Sequence, residues 1–206
     1  PTLVSACVPN SAPRVPVTAL LRLSRSEYDK TVHDLLGDSS RPAAASLPLD
    51  DSWPLEESVP SFSAEVIGGY RSMAHTLAAN ATKDAASLKA LTACDVVVSG
   101  EAACEQRLME GFLPRVLRRP LDATDVADFG MVFDTGRTLG GDFASGVRAV
   151  LEVALQSPEF LYRPELGQPA DASLPGLVRP TPHEMATRLS YLLWGSMPDA
   201  ALDDAA

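Results

Sequence analysis

Apolar residues recur along this chain in short helical stripes separated by breaks rich in proline and glycine. Over residues 22–37, Tyr28, Val32, Leu35 and Leu36 fall on one face of a 3.6-residue period, which predicts an amphipathic helix. Ser24 stands at its N-cap, Glu27 three residues later closes a capping box, and Leu23 is spaced to staple against Tyr28. Gly37 sits where a left-handed C-terminal residue is wanted. Val66, Tyr70, Met73 and Leu77 predict a second helix over 63–79, continuing less clearly toward Leu91. Leu108, Phe112, Val116 and Leu117 define a third, which Pro114 should kink or unravel by removing a donor and crowding the preceding turn. Arg118, Arg119 and Pro120 end it. The acidic stretch 122–125 opens a fourth, turned inward through Val126, Phe129 and Phe133 and closed near Gly136. Asp142 caps a fifth, whose Phe143, Val147, Val150, Leu151 and Ala154 form a wide apolar face ended by Ser157 and Pro158. Thr181, Pro182 and Glu184 make another capping box with Pro at the first helical position, and Met185, Leu189, Leu192 and Leu193 carry the stripe on to Gly195. A last helix begins around 196–199.

The breaks are as informative as the stripes. Residues 1–16 lack a helical period, as expected of an extended arm. Pro42, Pro48, Pro54 and Pro60, with the pairs Asp50-Asp51 and Glu56-Glu57, make 38–61 a loop. Residues 159–180 also read mostly as loop, although Phe160, Leu161 and Tyr162 are apolar enough to anchor on a core. Strand alternation is missing, since Val96, Val97 and Val98 are too few to found a sheet. The fold expected is therefore all-α, an irregular bundle of about six to seven helices with long Pro-rich loops. Its expected divisions are an arm at 1–19, a first helical domain at 20–92, a second with the start of a third at 93–164, and the truncated third at 165–206.

Composition narrows the function classes. The 206 residues are 46% hydrophobic, enough for a real core, and no apolar run approaches the roughly 20 residues of a spanning helix. A formal charge of −10 opposes polyphosphate, so nucleic acid is not an expected partner. The short basic clusters at 14–25 and 115–119 read as structural pairs for carboxylates and helix-end carbonyls. Cys94 and Cys104 bracket a short polar loop that would bring them together if it folds back, which suggests a disulfide and with it an oxidising, extracytoplasmic compartment. Two reduced buried thiols in a cytosolic protein are the other reading. Cys7 is left over, its match expected outside this chain; no signal peptide is visible at Pro1.

Candidate chemistry is sparse. His33, His75 and His183 lie on three separate predicted helices, His183 in a first turn where exposure is the default, which disfavours a shared metal site. Asp50-Asp51 and Glu56-Glu57 could offer calcium a set of oxygens, but a solvated loop is the simpler reading. No Gly-x-Ser-x-Gly elbow is present. Tyr191, Trp194, Phe160 and Tyr162 could stack on a sugar ring, although helical spacing favours core. Arg163 and Arg188 stand in apolar context, where a guanidinium needs partners, and are expected to be structural clamps pairing with acids such as Glu159, Glu184 or Asp199.

Three stretches carry a family resemblance. Residues 22–37, RLSRSEYDKTVHDLLG, resemble the RLTRxEYNNTVRDLLG opening of one planctomycete surface domain. Residues 112–121, ending in RRPL, resemble the RRAxRRPL stretch of a second, and 155–163 with 184–199 resemble a third. The resemblance implies a large exported protein of unestablished function, often joined to c-type cytochrome domains whose haem hangs on Cys-x-x-Cys-His. That motif is absent from this chain, so the resemblance implies no cofactor in this segment, with haem in the parent protein. The implied partners are the remainder of the parent and a c-type cytochrome domain. The expected function is a non-catalytic helical scaffold or interaction segment in the periplasm or at the cell surface; the alternative is part of an extracytoplasmic enzyme, redox or polysaccharide-active, whose site is completed elsewhere.

Overall fold

A computed structural model describes residues 20–50, 63–169 and 178–206. The N-terminal arm with Cys7, and Asp51, Glu56 and Glu57 of the acidic loop, lie outside these residues. The architecture is mostly helical, with two short two-stranded ladders. Helix α1 (Arg25–Leu36) has the full capping box at Ser24 and Glu27, and Gly37 closes it in the left-handed region at φ 71°. A short α2 (Pro42–Ser46) follows inside the stretch expected to be loop. Its physical reason is the buried Asp29 of α1, whose carboxylate accepts the otherwise orphaned N–H groups of Ala43 and Ala44 behind a first-turn proline.

Helix α3 (Ala64–Ala81) stops at Thr82, and Asp84 caps a separate α4 (Ala85–Thr92). The segment between the cysteines is two helices, α5 (Val96–Ser99) and α6 (Glu101–Arg107), and not a folded-back polar loop. Asp95 caps the first by accepting the Val97 N–H, and Gly100 at φ 81° turns the chain into the second. Cys104 faces the core from α6 and is disulfide-bonded to Cys94. A π-helical turn (Leu108–Phe112) then runs into α7 (Leu113–Leu117).

Helices α8 (Ala123–Gly140) and α9 (Phe143–Ala154) form a close hairpin, and α9 also packs on α3. Gly136 does not end α8, which runs one turn further to Gly141. A Cβ at Gly136 would overlap the Ala149 side chain, so the glycine is there to let α9 approach. The same holds for Gly146 of α9, where a Cβ would lie 2.7 Å from Phe133 Cε2. Of the three residues expected to face inward on α8, Phe129 and Phe133 do and Val126 does not. The apolar face of α9 is buried as its spacing predicts.

Ser157 caps α10 (Pro158–Leu161), after which β2 (Tyr162–Arg163) pairs antiparallel with β1 (Leu21–Arg22), and β3 (Gln168–Pro169) with β4 (Val178–Arg179). Two-residue strands have no period to read, so the sequence pattern contains no trace of them. Helices α11 (Pro182–Leu193) and α12 (Ala200–Asp204) complete the described chain. Among the described residues the twelve α segments exceed the six or seven expected: the cap at Asp84 divides the stripe read on from 63–79 toward Leu91, and α2, α5, α6 and α10 are short helices in or beside stretches read as loop. One cluster of buried apolar residues runs from Leu23 through α3, α7, α8 and α9 to Met197.

The main departure is the facing of α11. Its stripe points outward: Leu192 is 76% exposed, Leu193 70%, Met185 and Leu189 39% each. Ala186, Thr187, Ser190 and Tyr191 are the buried residues instead. The surface α11 meets is polar. Thr31 and Tyr191 share a hydroxyl hydrogen bond of 2.8 Å, Lys30 Nζ donates to the Trp194 carbonyl at 3.0 Å, and the Ser196 hydroxyl donates to Asp34. A polar seam selects the polar face of the helix that closes it.

Candidate functional site

Pro114 shapes the site. In a regular α-helix its ring would collide with the carbonyl of Glu110, and no N–H could bond there. The chain widens instead, Leu113 N–H reaching back five residues to the Leu108 carbonyl. Such π-turns hold one extra residue and recur beside functional sites. Here the turn forms one wall of an open cleft of about 740 Å³.

The floor of the cleft is apolar, with Met109, Pro114, Leu121 and Val126. Glu105 and Glu110 enter from α6 and the π-turn, and His183 and Asp203 from the starts of α11 and the body of α12. Burial pushes the Glu105 carboxyl above its ordinary value, with help from the charge of Asp134 and opposed by Arg137. Glu110 accepts from the Gln106 amide at 2.8 Å. Arg119 also borders the cleft, but its guanidinium is forked onto Asp125 at 2.5 and 3.1 Å. That hydrogen bond holds Asp125 below the ordinary carboxylate range despite burial. His183 is half-buried, not free in solvent as its first-turn position suggests; its Nδ1 is buried without a hydrogen-bond partner, 3.7 Å from Asp203 Oδ1.

Apart from His183, the candidate site residues singled out from the sequence lie elsewhere. The Cys94–Cys104 bond ties the end of α4 to α6. Arg163 stacks 4.9 Å from the Tyr191 ring centroid and lies 3.5 Å from Glu27, the capping carboxylate of α1. Arg188 forks onto Glu165. Neither arginine is ion-paired with the expected Glu159, Glu184 or Asp199, although the charge of Glu184 acts on Arg188. Glu184 is occupied by backbone, accepting the N–H groups of Leu166 at 2.7 Å, Gly167 at 3.0 Å and Thr181 at 2.7 Å. Asp199 caps α12, and β1–β2 pairing carries Arg163 to α1. Burial pushes the Glu184 carboxyl up, but the hydrogen bonds from Gly167, Thr181 and Leu166 outweigh it and hold the group below its ordinary value.

Within the basic cluster 115–119, read from sequence as structural pairs for carboxylates and helix-end carbonyls, the residue not singled out is Arg118. It stands in the left-handed region at φ 56° after α7 and is 5% exposed. Its Nη2 donates to the carbonyls of Glu159, Phe160 at 3.2 Å and Tyr162 at 2.6 Å, and its guanidinium lies 5.8 Å from the Tyr191 centroid. Burial draws its pKa down from the usual arginine value. Arg118 and Arg163 thus both bear on the Tyr191 ring, which joins α11 to α1, α7 and β2. Nothing local distinguishes Arg118 from Arg119; only the carbonyls it meets, some forty residues on, do so.

Among the described residues no three His, Cys, Asp or Glu side chains converge to hold a metal ion. The histidines each have their own neighbour: His33 Nδ1 meets the Ser39 hydroxyl at 3.2 Å and His75 meets Glu152 at 2.9 Å. No helix of the described residues is long and apolar enough to cross a membrane.

Three family models match in succession: PSD3, a protein of unknown function (DUF1587), over 22–83; PSD5, a protein of unknown function (DUF1595), over 104–165; and PSD4, a protein of unknown function (DUF1592), over 181–206. No curated protein and no solved structure matches the chain.

Proposed function

We propose that this chain, which belongs to the PSD family of domains of unknown function, is a non-catalytic helical interaction segment of an extracytoplasmic protein. The observation that carries the reading is the outward stripe of α11. Met185, Leu189, Leu192 and Leu193, with Trp194 just past the helix end, present apolar surface on one short helix, and a patch of that kind costs solubility unless another surface covers it. The inner side of α11 is already committed to the polar seam with α1, so the stripe is free to serve an outside contact. The partner is another protein surface, either a further part of the parent or a c-type cytochrome domain joined to it. The disulfide supports an oxidising compartment, since such bonds rarely persist in the cytosol. The arginine contacts around Tyr191 and the Arg188–Glu165 pair act in this reading as clamps that fix the presenting helix.

Hydrogen exchange tests the proposal when the same peptides are compared in the isolated chain and in the full-length parent. Peptides covering 185–194 should gain protection in the parent, and the double substitution Leu189→Glu, Leu192→Glu should remove that gain while leaving the exchange of α9 unchanged. Equal exchange of 185–194 in both settings would sink it.

A further inference from the structure

The cleft behind the π-turn has the size and lining of a small-molecule site, which typically spans about 300–1,000 Å³ with a mostly apolar surface and a few placed polar groups. Its three carboxylates, Glu105, Glu110 and Asp203, are acceptors. Among the described residues, neither Glu105, Glu110 nor Asp203 has a lysine or arginine ion pair. The one arginine at the cleft, Arg119, is already neutralised by Asp125. The His183 Nδ1 is buried without a partner, and Asp203 Oδ1 stands 3.7 Å away, too far for a hydrogen bond between them. The Asp203 carboxylate, which also lines the cleft, is thus left open to a donor from it.

We infer that the cleft binds an apolar primary amine, its hydrocarbon or aromatic body on Met109, Pro114, Leu121 and Val126 and its ammonium donating to Asp203, with Glu105 and Glu110 adding negative charge. An ammonium supplies three donors and no acceptor, which matches a rim of acceptors. The negative rim repels an organic acid of the same shape. No bond is made or broken, so the site is a binding site.

Isothermal titration of the whole chain at low salt tests this with three probes of one shape, 4-phenylbutylamine, 4-phenylbutyrate and 4-phenylbutanol. The amine should bind at least tenfold more tightly than the acid, with the alcohol between them. Asp203→Asn should weaken the amine by roughly tenfold and leave the alcohol unchanged, as expected for one charged hydrogen bond. Leu121→Trp, which fills the floor, should abolish binding of both. The pair Leu189→Glu, Leu192→Glu lies on the outer face of α11 and should change nothing; loss of binding in that variant would mean the amine adsorbs to the apolar stripe, and the inference would fall. Equal affinity for amine and acid, an unaltered amine affinity in Asp203→Asn, or no heat at millimolar amine would each overturn it as well.

Discussion

Helices α1 and α11 are built by the same local rules and used in opposite ways. Each is twelve residues long, each opens with a hydroxyl N-cap and a glutamate at N3, and each ends beside a glycine at positive φ. Each carries an apolar stripe at helical spacing. The stripe of α1 is sealed in the core, with Tyr28 and Val32 at 0% exposure, whereas that of α11 faces outward. Capping and periodicity therefore set where a helix begins, where it stops and which residues share a face, and the neighbours decide which face is inside. For α1 those neighbours include Tyr70 and Phe160, whose rings meet Tyr28 at centroid distances of 5.7 and 5.6 Å. For α11 they are Thr31, Arg118 and Arg163.

The largest effect should come from exchanging the two stripes' treatment. Tyr28→Ala removes a fully buried ring and should cost about 3–5 kcal/mol in urea unfolding. Leu192→Ala should stay within roughly 0.5 kcal/mol of the parent chain, because its side chain is already in water. A loss of 2 kcal/mol or more at Leu192 would mean that the outer face of α11 is packed, and the contrast between the helices would collapse.

Next in size is the seam itself. Arg118→Ala strips a donor from three carbonyls at the end of α10 and in β2 and leaves the Tyr191 ring beside Arg163 alone. Buried acceptors left without donors cost about 1–3 kcal/mol each, and relaxation should hold the total near 3 kcal/mol. The diagnostic outcome is regional. Amide exchange should quicken across α11 and β2 and stay slow in α8 and α9, whose main contacts are with each other and with α3. Uniform quickening would make Arg118 a general core residue and not the holder of α11.

The same contrast explains what was legible beforehand. The caps at Ser24, Asp142 and Thr181 are readable because each is a bond between residues three apart, whereas Asp122, read as part of an acidic first turn, is itself the cap. The apolar face of α9 is readable because both α3 and α8 cover it, so period and burial agree. The pairing of β1 with β2 joins Leu21 to Arg163 across most of the chain, and two residues of strand leave no pattern. Gly136 reads as a stop because glycine is poor in helices, yet close approach to Ala149 gives it a place inside one. Of the cleft, Pro114 was visible as a disturbance in a helix, but its effect depended on how the ladder relaxed around it. The unpaired Nδ1 of His183 depends on Asp203 stopping 3.7 Å short, a distance no spacing encodes.

The smallest effect separates the two capping glutamates. Glu27 serves the N-cap of α1 and faces the Arg163 guanidinium, while Glu184 gathers three backbone N–H groups and so ties residues 166 and 167 to the start of α11. Glu184→Gln keeps the shape and one acceptor but loses the charge, and should cost about 0.5–1 kcal/mol at pH 7, the range of a helix cap. The sign of its pH dependence follows from the carboxyl being held below its ordinary value in the folded chain. The stabilisation is then present above the unfolded glutamate pKa, roughly 4.3, and is lost as pH falls through the lower folded value. The stability difference between the parent chain and Glu184→Gln, measured by urea unfolding, should accordingly be full at pH 7 and shrink steadily below about pH 4.5. A difference that stays constant down to pH 3 would show that the amide replaces the carboxylate's hydrogen bonds without regard to charge, and α11 would then be fastened by its seam with α1 and not by its first turn.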